Sequence, residues 1–246
     1  MLSVAIKHPD SEKFIDAKMV QGKVTGANVS VKIDDEFMRA VESEELYTQQ
    51  YPIYSDDPMV LQQVNAKALW NKIIHNAWSS AEPGVLFWDT ILRESVPDCY
   101  ADLGYRTVST NPCGEIPLCP YDSCRLLAIN LYSYVENPFT AQARFNFDLF
   151  RKHVGLAQRI MDDIIDLEIE KIEKILDKIK SDPEDNIVKR TEYELWDKIM
   201  NKTLKGRRTG VGVTAEGDML AALGLRYGTE EATEFSEKMH SVVAVE

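Results

Sequence analysis

Asn111, Cys113 and Glu115 stand at alternate positions in the string Asn111-Pro112-Cys113-Gly114-Glu115-Ile116-Pro117-Leu118. In an extended chain alternate side chains share one face, so an amide, a thiol and a carboxylate would point the same way. Fully extended, Asn111 to Glu115 would span about 13 Å at ~3.3 Å per residue. That is too long to serve one ring-sized substrate, so the loop is expected to curl, and Gly114 permits it. Several chemistries fit. A cysteine hydrolase needs a histidine base, but His8, His75, His153 and His240 are all remote in sequence. Zinc binding is a weak match: Cys113, Cys119 and Cys124 have five and four residues between them and no C-x-x-C pair. Ordinary free thiols are the third reading, and spacing alone leaves all three open.

The elements around this string alternate strand and helix. Leu2 to Ile6 reads as a short buried strand, and Pro9 suits a first helical turn with Asp10 and Glu12 near the positive end of the dipole. Gln21-Gly22 reads as a turn. Asn28 to Ile33 alternates apolar and polar residues as a strand does. Asp34 can cap a helix carrying Phe37, Met38 and Val41. Tyr51 to Pro58 reads as a loop, and Met59 to Ala81 as a helix ended by Pro83-Gly84. Val85 to Trp88 is a short apolar strand. Pro97 to Tyr121 has four prolines and two glycines and no helical periodicity, so it reads as a long functional loop.

Arg125 to Val135 is β-like. Phe147 to Ile179 is a long amphipathic helix with Ile165, Ile169, Ile172, Leu176 and Ile179 on its apolar side and Glu170/Lys174 as a favourable pair. Ser181-Asp182-Pro183 turns the chain into a second helix with Trp196, Ile199 and Thr203 on one face, and Gly206 can terminate it. Arg207 to Thr214 reads as a strand, Gly217 to Leu223 as a helix, and Thr229 opens the last helix. This order is an α/β class.

The chain has 246 residues and a formal charge of −12, which disfavours wrapping of nucleic acid, where a basic face supplies most of the affinity. No apolar run approaches the ~20 residues of a membrane span. Four cysteines in this length are no disulfide scaffold, so a reducing, cytoplasmic compartment is expected.

The string around Cys113, followed by Pro120-Tyr121-Asp122-Ser123-Cys124 and Ala128-Ile129-Asn130-Leu131, closely resembles the finger loop of ribonucleotide reductases. The Pro and Gly inside the Asn-x-Cys-x-Glu core resemble the adenosylcobalamin-dependent class II. His8 to Ile15, Thr25 to Val31, Glu82-Pro83-Gly84 and Gly206 to Thr214 are similar to the same family. The resemblance implies part of a ten-stranded α/β barrel of two half-barrels: 1–96 the end of the first half, 97–124 the finger, and 125–246 the start of the second half with a helical hairpin.

It also implies roles. Cys113 would become a thiyl radical that takes hydrogen from C3′ of a ribonucleotide, Glu115 would be the base on the 3′-hydroxyl, and Asn111 would position the sugar. Cys124 would be one of two redox-active thiols that reduce C2′. Adenosylcobalamin is the implied cofactor, a ribonucleoside diphosphate the substrate, and a thioredoxin-like or dithiol reductant the partner. Cys99 and Cys119 match no role in the family. Gly210-x-Gly212 is too short for a dinucleotide fingerprint, and Arg207 and Arg208 are expected to pair with acids rather than with phosphate.

By the same resemblance, the thiol partner of Cys124 and the specificity loop would lie upstream. The phosphate loop, the rest of the cobalamin surface and the tail cysteines would lie downstream. The chain is therefore expected to be a fragment, a split-gene product or a subunit that assembles with the remaining segments or with itself. The competing readings are a class I-type large-subunit segment with a separate radical-generating subunit, and a non-catalytic interaction module.

Overall fold

The computed structural model describes all residues except Gln21, Lys23 and Cys124. It comprises two compact units, Met1–Pro120 and Tyr121–Glu246. The first contains β1 (Leu2–Ala5), α1 (Ser11–Ile15), β2 (Val29–Ile33), α2 (Asp35–Ser43), β3 (Leu46–Tyr51), β4 (Val60–Asn65), α3 (Ala66–Ser80), β5 (Gly84–Phe87), α4 (Trp88–Glu94), a 3₁₀ segment (Val96–Leu103), β6 (Ser109–Thr110) and β7 (Pro117–Leu118). The turn expected at Gln21-Gly22 falls partly outside the described residues; Gly22 itself has φ +80°.

Strands β1, β2 and β5 form a parallel sheet in the order β1-β2-β5. The pleat gives this sheet two unlike faces. Val31 and Ile33 belong to an apolar core with Phe37, Val41, Leu69 and Ile73 from α2 and α3, against which the partly buried Val85 packs. Each such fully buried side chain contributes roughly 1.5–3 kcal/mol. The opposite face is set by the register Ser3↔Ser30, Ala5↔Lys32, Ser30↔Gly84 and Lys32↔Leu86. It is therefore lined by small or polar residues with a single leucine, which leaves room for something to lie across it.

The caps follow the sequence. Asp34 accepts a hydrogen bond from the Phe37 amide at 2.7 Å, and Thr229 accepts one from Ala232; both satisfy orphan N–H groups. Residues 59–81 depart from expectation. Met59 to Asn65 is not helical: β4 pairs antiparallel with β3, and the helix begins only at Ala66, capped by Asn65. The obscuring feature is a buried polar side chain. Gln49 is fully buried and donates to the Ile6 carbonyl and to Ser11 Oγ, while Gln62 donates to Gln49 Oε1. An inward-facing glutamine breaks the apolar alternation by which a strand is recognised.

The second unit contains β8 (Leu127–Asn130), a 3₁₀ turn (Leu131–Tyr134), β9 (Val135–Glu136), β10 (Arg144–Phe145), α5 (Phe147–Ser181), α6 (Asn186–Gly206), β11 (Val211–Thr214), α7 (Glu216–Leu223) and α8 (Glu230–Val245). Strands β8 and β11 are parallel neighbours joined through the α5–α6 hairpin. Of the β-like stretch 125–135, only 127–130 and 135–136 are strand, and of 207–214 only the last four residues. The second helix includes Gly206, and it is Arg207, at φ 40°, that takes the left-handed cap. The core includes an aromatic cluster: Tyr134, Phe145, Phe147, Phe150 and Phe235 meet largely edge to face, with Phe150 fully buried. The described residues thus hold parallel sheets of three and two strands rather than a closed barrel.

Candidate active site

The segment expected to be structureless is a hairpin with an anchored root. β6 and β7 pair antiparallel through Ser109↔Leu118 and Thr110↔Pro117, and Val108 N–H donates to the Leu118 carbonyl. Asn111 organises the tip. Its backbone N–H donates to the Ile116 carbonyl, its carbonyl accepts from Gly114 N–H, and its side-chain Oδ1 accepts from Ile116 N–H at 3.0 Å. Gly114 sits at φ +86°, a conformation that disfavours a Cβ. The loop therefore curls, as its length requires, and the alternate-face geometry of an extended strand does not survive.

The curl separates the three groups by environment. Asn111 is buried, at 7% exposure, whereas Cys113 and Glu115 are exposed at the turn. Among the described residues no hydrogen bond or ion pair engages the Glu115 carboxylate. Cys113, Pro112 and Gly114 line a cleft of about 150 Å³ with Asn28, Ser30, Glu82 and Leu86. Ser30 and Leu86 belong to the small-residue face of the sheet, so that is the face the fingertip meets. A Cβ on Gly84 would come within 2.8 Å of Ser30 Oγ. Glu82, in ion-pair contact with Lys18 at 2.5 Å, is an acid at the cleft that sequence reasoning noted only as part of a motif; no periodicity could have placed it beside Cys113.

The root is held from two sides. Asp98 accepts from Thr107 N–H at 2.9 Å and from Thr107 Oγ1 at 2.5 Å. Burial raises the Asp98 carboxyl, but hydrogen bonds from Thr107 and Ser95 and the charge of Arg106 outweigh it and leave it below the ordinary carboxylate range. Lys32 donates to the Val108 carbonyl.

Cys124 lies outside the described residues. Its sequence neighbours do not: Arg125, with its side chain 7% exposed, donates to Glu168 and to the Arg208 carbonyl, and Arg208 pairs with Asp122 at 2.6 Å. Arg207 pairs with Asp162 and Asp166. Both arginines are thus matched to acids, as expected. No histidine lines the Cys113 cleft. His153 shares a hydrogen bond with Tyr134 Oη, and His8 accepts from Asp10 N–H. Cys119 is buried and Cys99 exposed. Among the described residues no three metal-binding side chains cluster, and no helix is long and apolar enough to cross a membrane.

In this structure a hairpin presents Asn-x-Cys-x-Glu at the small-residue face of a parallel sheet. Residues 1–246 match the family described as ribonucleotide reductase, barrel domain. The chain is 32% identical over 240 residues to a vitamin B12-dependent ribonucleoside-diphosphate reductase of Thermoplasma acidophilum, covering 96% of this chain and 26% of that protein. It is 31% identical over 241 residues to the protein of that description from Mycobacterium tuberculosis, covering 97% and 30%. The alpha subunit of the Actinobacillus ureae class Id ribonucleotide reductase has a similar fold, with a TM-score of 0.63 at 16% identity over 98% of this chain and 38% of that one. The chain belongs to the ribonucleotide reductase barrel-domain family. It spans between a quarter and a third of the length of these two curated relatives.

Proposed function

We propose that this chain supplies the radical-bearing finger of an adenosylcobalamin-dependent ribonucleotide reductase acting on ribonucleoside diphosphates. The observation that carries the reading is the Cys113 thiol, exposed at a turn braced by Asn111 and followed by a free Glu115 carboxylate. The two curated relatives above are named vitamin B12-dependent ribonucleoside-diphosphate reductases. The donor chemistry fits the cofactor at one point: an exposed S–H can be reached by a hydrogen-atom acceptor. When bound, the cofactor supplies that acceptor; no residue of this chain is assigned to hold the corrin.

The residues then divide the work. Cys113, as a thiyl, takes the C3′ hydrogen atom and later returns it. Glu115 takes the 3′-hydroxyl proton, and Asn111 orients the sugar. Cys124 and a second thiol outside this chain give two electrons and two protons as they become a disulfide, while the 2′-hydroxyl leaves as water. A thioredoxin-like protein or a small dithiol reduces that disulfide. Residues 97–124 act as the finger between segments of two half-barrels.

The test is turnover by the chain assembled with its complementary segments. Ribonucleotide should be consumed only with adenosylcobalamin and a dithiol, and Cys113→Ala should give no product. Undiminished turnover in that variant would remove Cys113 from the mechanism. Turnover that needs a separate metal-bearing subunit instead of the cobalamin would favour the class I-type assignment.

A further inference from the structure

Lys32 is out of place on a sheet face otherwise lined by small residues and a leucine. It is half-buried, and among the described residues no carboxylate lies within ion-pair distance of its ammonium. Its Nζ instead donates to the Val108 carbonyl at 2.5 Å and lies 3.9 Å from the centre of the Trp88 ring, itself 7% exposed. A partly desolvated lysine without a counter-ion is costly, and burial holds this ammonium below the ordinary lysine range.

The geometry gives that cost a return. Ser30 and Lys32 lie on one face of β2, two residues and so roughly 6.6 Å apart along the strand. Ser30 lines the Cys113 cleft, and Lys32 grips Val108 immediately before β6. The hairpin is thus set against β2 at two levels, tip over Ser30 and root over Lys32. β6 and β7 have only two residues each, far too few to hold an isolated hairpin. Cys113 sits five residues beyond the gripped carbonyl, so a slip at the root is a slip of the thiol.

We propose that Lys32, seated on Trp88, is a positioning residue that fixes the register of the Cys113 hairpin on the sheet. Its significance for turnover rests on the reductase reading; its action on the hairpin does not. The test is hydrogen exchange resolved over residues 107–118 in the full chain. Lys32→Met keeps the stem and removes the grip. Amides 108–116 should exchange about tenfold faster or more, with α2 and α3 unchanged. The melting temperature should hold or rise, because a desolvated charge has been removed.

A residue with a merely structural role would move finger and core together. Lys32→Arg, which keeps both cation and donor, should restore most of the protection. The proposal fails if 107–118 in Lys32→Met exchanges within about twofold of the parent, if Lys32→Arg behaves like Lys32→Met, or if Lys32→Met does not fold. In the assembled enzyme, Lys32→Met should lower kcat about tenfold with KM nearly unchanged, since orientation rather than binding is lost. A parent assembly that never turns over would sink the reductase reading and leave the exchange result standing.

Discussion

The two units solve the same problem, covering a short parallel sheet, in different ways. In residues 1–120 one sheet face is packed with apolar side chains, while the other is kept small and accepts a hairpin held by a few polar contacts. In residues 121–246 the two-stranded sheet joins a mixed core of aliphatic side chains and an edge-to-face aromatic cluster, to which long helices contribute. The difference separates stability from chemistry. Polar anchors position a loop at little gain in global stability, whereas the buried core of the second unit stabilises the fold, and its one phenol, Tyr134, is engaged by His153.

Substitutions chosen from each side sharpen that contrast. The largest effect should fall on turnover: Glu115→Gln preserves shape but loses the proton acceptor, and a general base is worth roughly 10²–10⁴-fold. Steady-state rates of the assembled enzyme check it, with thermal melting of the chain expected to be unchanged. A variant within a factor of two of the parent would mean that Glu115 is not the base. Next is the reverse dissociation. Phe150→Ala removes a fully buried ring from the aromatic cluster, and chemical denaturation should show a loss of about 3–5 kcal/mol. An equal loss of protection in the Cys113 hairpin at low denaturant would break the contrast.

Glycines give a smaller, steric version. A Cβ on Gly210 would meet the Arg125 carbonyl at 2.7 Å, and backbone cannot step aside, so Gly210→Ala should cost about 1–3 kcal/mol. Gly84→Ala meets a side-chain hydroxyl, Ser30 Oγ. Its penalty should fall when Ser30→Ala is added, which a double-mutant cycle measures. Gly212 faces open space, so Gly212→Ala is the control.

The smallest effect concerns acid. The folded Asp98 carboxyl lies below its unfolded value, so its contribution is present above the ordinary carboxylate range and is lost as pH falls through the folded value. Exchange at the Thr107 amide should therefore quicken on acidification, beyond its intrinsic pH dependence, in the parent but not in Asp98→Asn. Equal profiles would exclude this anchor.

What the sequence made legible follows the same division. The long helix from Phe147, the caps at Asp34 and Thr229 and the strands at 2–5 and 29–33 all carry local signals, namely periodicity and capping residues. The β3–β4 hairpin was hidden because Gln49 points inward and most of β4 is exposed. Helix α4, from Trp88 to Glu94, was hidden because its start abuts a strand with no side-chain cap. At the site, the identities of Asn111, Cys113 and Glu115 were readable, but their arrangement was not. It depends on contacts from Asp98 and Lys32 and on a cleft shared with Glu82, residues that lie 13 to 81 positions away from Cys113 or Asn111 in the chain.

The bond from Ile116 N–H to Asn111 Oδ1 also sets the polarity of the site. A backbone N–H can only donate, so one acceptor site of that amide oxygen is committed to the loop. The NH₂ end has no partner among the described residues. In the role proposed above, Asn111 would meet the sugar through this NH₂ group, as a donor to an oxygen lone pair. An aspartate there would keep the brace at Ile116 yet turn an acceptor outward, repelling the oxygen that asparagine invites.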